Sequence, residues 1–241
     1  MWQRQHHSWA SPALGGRQMD LLLFGHAGAR VLAFPTSRGS YHEWEDRQMP
    51  EVLGEQLTAG ALQLCCVASV DDASWYDETI PVAERAEWQL RYDGYLKDEV
   101  LPLLASGNPD PTLITAGASF GGYHAITFAM RHPELVARVL SLSGLPDIRR
   151  LTHGDLGGPV YFCNPAEFMA NEHDPARMAA FQRMDIILAV GHDDSLCPSN
   201  EAFSTLLWNK GIGNALRVWD GWAHDWPFWQ RMLAMYIGGH D

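Results

Sequence analysis

Residues 113–130 constrain the fold of this chain more than any other segment. They begin with a short apolar run that predicts a buried strand, and they end in an apolar run that predicts a helix. Between the two stands Gly117-Ala118-Ser119-Phe120-Gly121. A serine with a glycine two residues to either side is typical of a sharp strand-to-helix turn, because a side chain at either glycine would keep strand and helix apart.

Strands and helices alternate along most of the chain. This alternation predicts an α/β protein with a mostly parallel sheet and helices on both faces. Two apolar runs, residues 19–24 and 29–34, predict an antiparallel N-terminal hairpin at one edge of that sheet. The other predicted strands are residues 62–68, 113–114, 135–142, 186–190 and 216–219.

Three polar residues follow predicted strands in an order that suggests acyl-transfer chemistry. Ser119, Asp194 and His224 come after the strands at 113–114, 186–190 and 216–219. The carboxyl ends of parallel strands meet at one edge of a sheet, so these side chains can converge. A serine hydroxyl becomes a nucleophile when an imidazole takes its proton and a carboxylate orients the imidazole. We therefore predict that these three residues are catalytic.

Other acidic and histidine residues leave alternatives open. Asp193 is the alternative acid, although the Gly191-x-x-Asp194 spacing favours Asp194. Asp225 is more typical of an N-cap for the last helix. A metal site built from residues 192–194 with 224–225 would leave the serine and its turn unexplained, so we predict that the protein binds no metal and no other cofactor.

An oxyanion formed at Ser119 would need backbone N–H donors. The Phe120 N–H at the start of the predicted helix is the first. The second should come from the loop after residues 31–34, which reads Pro35-Thr36-Ser37-Arg38-Gly39. We predict the Ser37 N–H as this donor, with Thr36 as the alternative.

The motifs around these residues resemble one branch of a known superfamily. They are Gly117-Ala118-Ser119-Phe120-Gly121-Gly122, Gly191-His192-Asp193-Asp194 and Gly221-Trp222-Ala223-His224-Asp225. They resemble the esterase D, feruloyl esterase and antigen 85 mycolyltransferase branch of the α/β-hydrolases. The resemblance implies an α/β-hydrolase fold and a serine hydrolase that acts on esters, without metal or organic cofactor. It does not fix the substrate, and we expect carboxylic esters with small or medium acyl groups.

The resemblance also suggests where an ester substrate would bind. In this group the loop after the third strand borders the acyl pocket, which implicates Trp75 and Tyr76 here. Trp222 flanks a catalytic position and is a further substrate-binding candidate. With 241 residues, we expect one domain, residues 1–241, in which residues 147–184 form an excursion of loops and short helices that partly covers the site.

Charge and composition limit the other partners. The net charge of −12 argues against binding to nucleic acid or to an anionic membrane. The first seven residues lack an apolar stretch, and the four cysteines show no C-x-x-C spacing, so we expect a reduced, cytoplasmic setting. The hairpin edge and the tryptophans are compatible with a homo-oligomer.

Two other functions fit the same sequence. An acyltransferase would use the same three residues, with an alcohol, sugar or amine in place of water. A non-catalytic binding protein could keep the hydrolase scaffold, but the intact Ser, Asp and His set argues against it.

Overall fold

An eight-stranded sheet is the frame of the protein, seen in a computed structural model that describes residues 2–239. In chain order the strands are β1 (Arg4–Ser11), β2 (Arg17–Phe24), β3 (Ala29–Phe34), β4 (Leu62–Val67), β5 (Leu113–Ala118), β6 (Arg138–Leu142), β7 (Asp185–Gly191) and β8 (Ala215–Trp219). Their spatial order is β1-β2-β4-β3-β5-β6-β7-β8. The β1–β2 and β2–β4 pairs are antiparallel and the remaining pairs are parallel, which confirms the predicted mostly parallel sheet.

The N-terminal hairpin is formed by β1 and β2, in a register that runs from Arg4 opposite Phe24 to Ser11 opposite Arg17. The predicted pairing of residues 19–24 with 29–34 is wrong, because β4 lies between β2 and β3. Both of those runs are apolar since both are interior strands with two covered faces. The polar, mostly exposed β1 is the true edge strand, and its composition hid it from the sequence analysis.

Ten α-helices lie within residues 2–239. They are α1 (Glu43–Asp46), α2 (Met49–Val52), α3 (Gly54–Ala59), α4 (Val82–Tyr95), α5 (Leu101–Gly107), α6 (Phe120–Arg131), α7 (Pro165–Ala170), α8 (Pro175–Phe181), α9 (Cys197–Asn209) and α10 (Trp226–Tyr236). A π-helical segment (Leu96–Val100) joins α4 to α5, and a 3₁₀ helix (Gly158–Cys163) precedes α7. The 3₁₀ helix, α7 and α8 make up the excursion predicted for residues 147–184.

Helices cover both faces of the sheet. Along β3, Val31 and Ala33 belong to one apolar cluster, whereas Leu32 and Phe34 belong to the other. Successive side chains of a strand point to opposite faces, so both faces are buried. Helix α6 packs into the cluster of Leu32 and α10 into that of Val31. None of the helices in the described part of the chain combines the length and hydrophobicity needed to span a bilayer.

Candidate active site

Ser119 stands in the sharp turn between β5 and α6. Its backbone has φ 54° and ψ −119°, a conformation that costs a non-glycine residue about 1–3 kcal/mol and that the surrounding structure must enforce. A Cβ on Gly117 would overlap the carbonyl oxygen of Gly121, so strand and helix approach too closely for a larger residue. The Ser119 N–H donates to the Leu142 oxygen at 2.8 Å. This backbone conformation places the Ser119 hydroxyl at the carboxyl edge of the sheet, as the sequence predicts.

The loops that follow β7 and β8 lie directly against each other. The Asp193 N–H of the first loop donates to the Gly221 oxygen of the second at 2.9 Å. Gly191 ends β7, and a Cβ there would overlap the Trp222 carbonyl. The absence of a side chain at Gly191 therefore allows the acidic loop to meet the histidine loop.

A chain of hydrogen bonds runs through these loops to the serine. His224 Nδ1 lies 2.7 Å from Asp194 Oδ2, and His224 Nε2 lies 3.1 Å from Ser119 Oγ. The Asp194 carboxylate is buried, and its other oxygen accepts the Leu196 N–H at 2.9 Å. With Nδ1–H donating to the carboxylate, Nε2 is left as the acceptor for the serine proton. This is the arrangement that a serine nucleophile needs.

The neighbouring acids point elsewhere. Asp193 Oδ1 lies 2.9 Å from Nδ1 of the exposed His192, and this hydrogen bond raises the His192 pKa. Asp225 accepts the Trp226 N–H at 2.7 Å and caps α10. Of the two candidates for the acid, the structure brings Asp194 and not Asp193 to His224.

Thr36–Gly39 form a tight turn directly after β3. The Gly39 N–H donates to the Thr36 oxygen at 2.8 Å. Arg38 has φ 56° in the left-handed region, whereas Ser37 does not. A positive φ at the third position of a four-residue turn is the mark of a type II turn. Ser37 therefore occupies the second position of such a turn.

Two carboxylates occupy the N–H groups on either side of Ser37. Glu43 Oε2 accepts the Thr36 N–H at 2.7 Å, and Asp71 Oδ2 accepts the Arg38 N–H at 2.9 Å. The Ser37 N–H has no acceptor within residues 2–239. The alternative donor, the Thr36 N–H, is already in use.

The first predicted donor, the Phe120 N–H, lies at the start of α6. Phe120 is the first residue of that helix, so its N–H is free of the helical ladder. A Cβ on Gly121 would overlap the carbonyl oxygens of Phe34 and Pro35. The start of α6 therefore abuts the end of β3, immediately before the turn that carries the Ser37 N–H.

Two aromatic side chains flank the site. The Tyr76 hydroxyl donates to Ser37 Oγ at 2.6 Å, and its ring meets Phe120 edge-on at 5.1 Å between centroids. Burial raises the Tyr76 pKa, so the phenol stays protonated as a donor. Trp222 is 57% exposed and stacks on His224 at 5.5 Å. Tyr76 therefore lies beside the Ser37 turn, and Trp222 lies beside His224.

Trp75 lies elsewhere. Its side chain is 1% exposed, and its indole N–H donates to the Tyr123 hydroxyl at 3.0 Å. It belongs to an apolar cluster with Phe120 and Leu145. The structure thus places Trp75 in the core and not on a substrate-facing wall, with its indole bonded to Tyr123 on α6.

A buried acid–base pair next to the site was not among the residues predicted from the sequence. His124 Nε2 lies 2.9 Å from Asp71 Oδ1, with side chains 1% and 0% exposed. The available signal was a charged residue just beyond the largely apolar run of β4, at the functional edge of the sheet.

The structure offers no competing metal or thiol chemistry among its described residues. Within residues 2–239, no three His, Cys, Asp or Glu side chains are grouped to hold a metal ion. The four cysteines are free and buried. Burial raises the pKa of Cys163 to about 12, which keeps that thiol protonated and unreactive.

Comparison with known proteins decides the class. Residues 66–238, well over half of the chain, match the family described as "Putative esterase". The chain belongs to this esterase family. The resemblance drawn from the sequence motifs is thereby confirmed, and the protein is a serine hydrolase that acts on esters. The family match begins after the turn at residues 36–39.

Solved structures share the fold of this esterase. A ferulic acid esterase superposes with a TM-score of 0.79 at 18% identity, covering 98% of this chain and 96% of that one. An S-formylglutathione hydrolase from Agrobacterium tumefaciens gives 0.76 at 15% identity, covering 98% and 94%. At these identities the likeness establishes the α/β-hydrolase fold alone. No sequence among the curated proteins matches the chain significantly.

Proposed function

We propose that the esterase hydrolyses carboxylic esters with small or medium acyl groups through an acyl-enzyme on Ser119, with His224 as the general base and Asp194 as its orienting acid. The observation that carries this proposal is the hydrogen-bond chain of 2.7 Å and 3.1 Å that links Asp194, His224 and Ser119 at the strained turn.

Acylation begins when Ser119 Oγ attacks the ester carbonyl carbon. His224 Nε2 takes the hydroxyl proton, and the buried Asp194 carboxylate stabilises the imidazolium that forms. The carbonyl oxygen becomes an oxyanion, for which the Phe120 and Ser37 N–H groups are the proposed donors. The intermediate collapses when the carbon–oxygen bond to the alcohol breaks and His224 returns the proton to that alcohol.

Deacylation repeats these steps with water. His224 takes a proton from the attacking water, and a second oxyanion forms in the same place. Its collapse releases the carboxylic acid and returns the proton to Ser119 Oγ. No redox step or metal ion is needed for either half of the reaction.

The preference for a small or medium acyl group rests on how the space around Ser119 is filled. Phe120 belongs to a closed apolar cluster with Ile148 and Val160 from the excursion at residues 147–184. Tyr76 packs against the edge of the same cluster. These side chains support a short acyl site bordered by the excursion, with Trp222 on the open side.

A fluorophosphonate probe tests the proposal directly. We expect the probe to label Ser119, as shown by peptide mapping, and p-nitrophenyl acetate or butyrate to be hydrolysed faster than the octanoate. Ser119→Ala should abolish labelling and lower kcat by roughly 10⁴-fold or more. Ser106→Ala, which changes an exposed serine bonded only to the Leu103 oxygen, is the matched control. Normal turnover in Ser119→Ala would refute the assignment.

A further inference from the structure

We infer that Asp71 and His124 are positioning residues, which hold the Ser37 turn in register with the nucleophile helix so that both N–H donors face one oxyanion. This inference rests on the proposed function of Ser119. It concerns residues that take no proton from the substrate.

Asp71 joins the two structures that carry the donors. Its Oδ2 accepts the Arg38 N–H at 2.9 Å, in the turn after β3. Its Oδ1 lies 2.9 Å from Nε2 of His124, which is on α6. The residue between Thr36 and Arg38 is Ser37, and α6 begins at Phe120. One carboxylate thus ties the backbone beside one donor to the helix that begins with the other.

His124 is held rigidly in its own place. Its ring lies among the aromatic rings of Phe34, Tyr92, Phe120 and Tyr123, with centroids 5.1–5.8 Å away. Gln89 Nε2 lies 3.4 Å from its Nδ1, which leaves Nε2–H to donate to Asp71. Both ring nitrogens have partners and the side chain is buried, so His124 does not serve as a base for the substrate.

Without these partners, burial of the Asp71 carboxylate at this location would destabilise the fold. Asp71 is 0% exposed and follows a strand whose residues are all buried. Burying a charge is unfavourable unless its partners compensate, and apolar residues of similar size often serve stability equally well. The strained Arg38 backbone, with φ 56°, needs such an acceptor to stay in the conformation that leaves the Ser37 N–H free.

The molecule contains a matched control pair. His132 Nε2 lies 2.8 Å from Asp93 Oδ2, and Asp93 is also buried. His132 directly follows α6 at the end opposite Phe120, and Asp93 lies on α4. Asp93→Asn therefore disturbs a His–Asp pair, and the 3.1 Å contact of Asp93 with Arg131 at the end of α6, without touching either donor.

The experiment compares Asp71→Asn and Asp71→Ala with Asp93→Asn. Each is measured for kcat and KM on p-nitrophenyl butyrate, Tm, and inhibition by an alkyl trifluoromethyl ketone, which forms an oxyanion on the serine. Loss of one oxyanion donor lowers kcat by roughly 10²–10³-fold, so displacement of one should lower kcat by about 10–100-fold. For both Asp71 variants we expect this loss of kcat with KM changed less than about threefold. The inhibition constant of the ketone should rise by the same factor by which kcat/KM falls. Asp93→Asn should keep kcat within about twofold.

His124 supplies a second, independent readout. A glutamine amide can donate to Asp71, whereas phenylalanine cannot, so His124→Gln should recover at least tenfold of the kcat lost in His124→Phe. Equal losses of kcat in His124→Gln and His124→Phe would overturn the inference. This comparison remains decisive even if the Asp71 variants do not fold. The inference would also be overturned if folded Asp71→Asn and Asp71→Ala both kept the wild-type kcat. Absence of fluorophosphonate labelling at Ser119 in the wild-type protein would instead refute the proposed function.

Discussion

Replacing Ser37 with proline removes one backbone N–H and one side-chain hydrogen bond, from Tyr76, at the site. Ser37 is the second residue of a type II turn, the position at which proline is favoured. The Ser37 N–H has no acceptor within the described residues, so no structural hydrogen bond is lost with it. Proline at this position therefore tests the second oxyanion donor without breaking the turn.

The expected magnitude follows from these contacts. Loss of one oxyanion donor costs about 2.7–4 kcal/mol of barrier, which is a 10²–10³-fold lower kcat. Stability should change much less. The hydrogen bond from Tyr76 to Ser37 Oγ is worth about 1 kcal/mol or less at this half-exposed site, and proline returns about 0.4–1 kcal/mol by restricting the unfolded chain. The Tm should stay within a few degrees of the wild-type value.

The assay pairs Ser37→Pro with Ser37→Ala on p-nitrophenyl acetate. The alanine variant loses the Tyr76 hydrogen bond but keeps the N–H, so its kcat should fall less than about tenfold. The proline variant should fall at least tenfold further, with KM nearly constant. Equal kcat in the two variants, with both folded, would show that the Ser37 N–H does not stabilise the oxyanion.

Two further predictions concern other parts of the molecule. Trp222→Ala should raise KM for aryl esters about 2–10-fold, because an aromatic contact is worth about 0.5–1.5 kcal/mol, whereas Trp208→Ala, an equally exposed tryptophan on α9, should not. Burial alone would raise the Glu99 pKa, but three hydrogen-bond donors offset it and hold the pKa below its usual 4.5. The contribution of the Glu99 carboxylate to the free energy of unfolding is therefore complete above pH 4.5, and it is lost as the pH falls through the lowered pKa. Glu99→Gln should lower the free energy of unfolding in urea by about 1 kcal/mol at pH 7, and this difference should shrink below pH 4.5; a constant difference would contradict the argument. The donors are the Trp9 indole, the Ser11 hydroxyl and the Ala13 N–H.

The sequence predicted those features that depend on local residue patterns. The turn at Ser119 was visible because its glycines are required by close backbone contacts. Asp194 and His224 were visible because each follows an apolar strand whose direction the α/β alternation defines. The turn after β3 was also predicted, because a loop must leave the strand next to the nucleophile.

Features that depend on contacts distant in sequence could not be predicted. The pairing of β2 with β4 rather than β3 leaves no trace in either apolar run. The inward direction of Trp75 depends on a hydrogen bond to Tyr123, 48 residues away. The pair of Asp71 and His124 is separated by 53 residues, so no spacing in the sequence indicates it.

The order of strands in the sheet explains why these distant residues meet. The sheet places β4, β3 and β5 side by side, so the segments that follow them carry Asp71, Ser37 and Ser119 to adjacent positions on one edge. On the other side, β6, β7 and β8 bring Asp194 and His224 toward the same serine. The Asp194–His224 pair and the proposed Ser37 donor thus approach Ser119 from opposite halves of the sheet. Changes to the β3–β4 half should alter oxyanion stabilisation and leave proton transfer intact, whereas changes to the β7–β8 half should do the reverse.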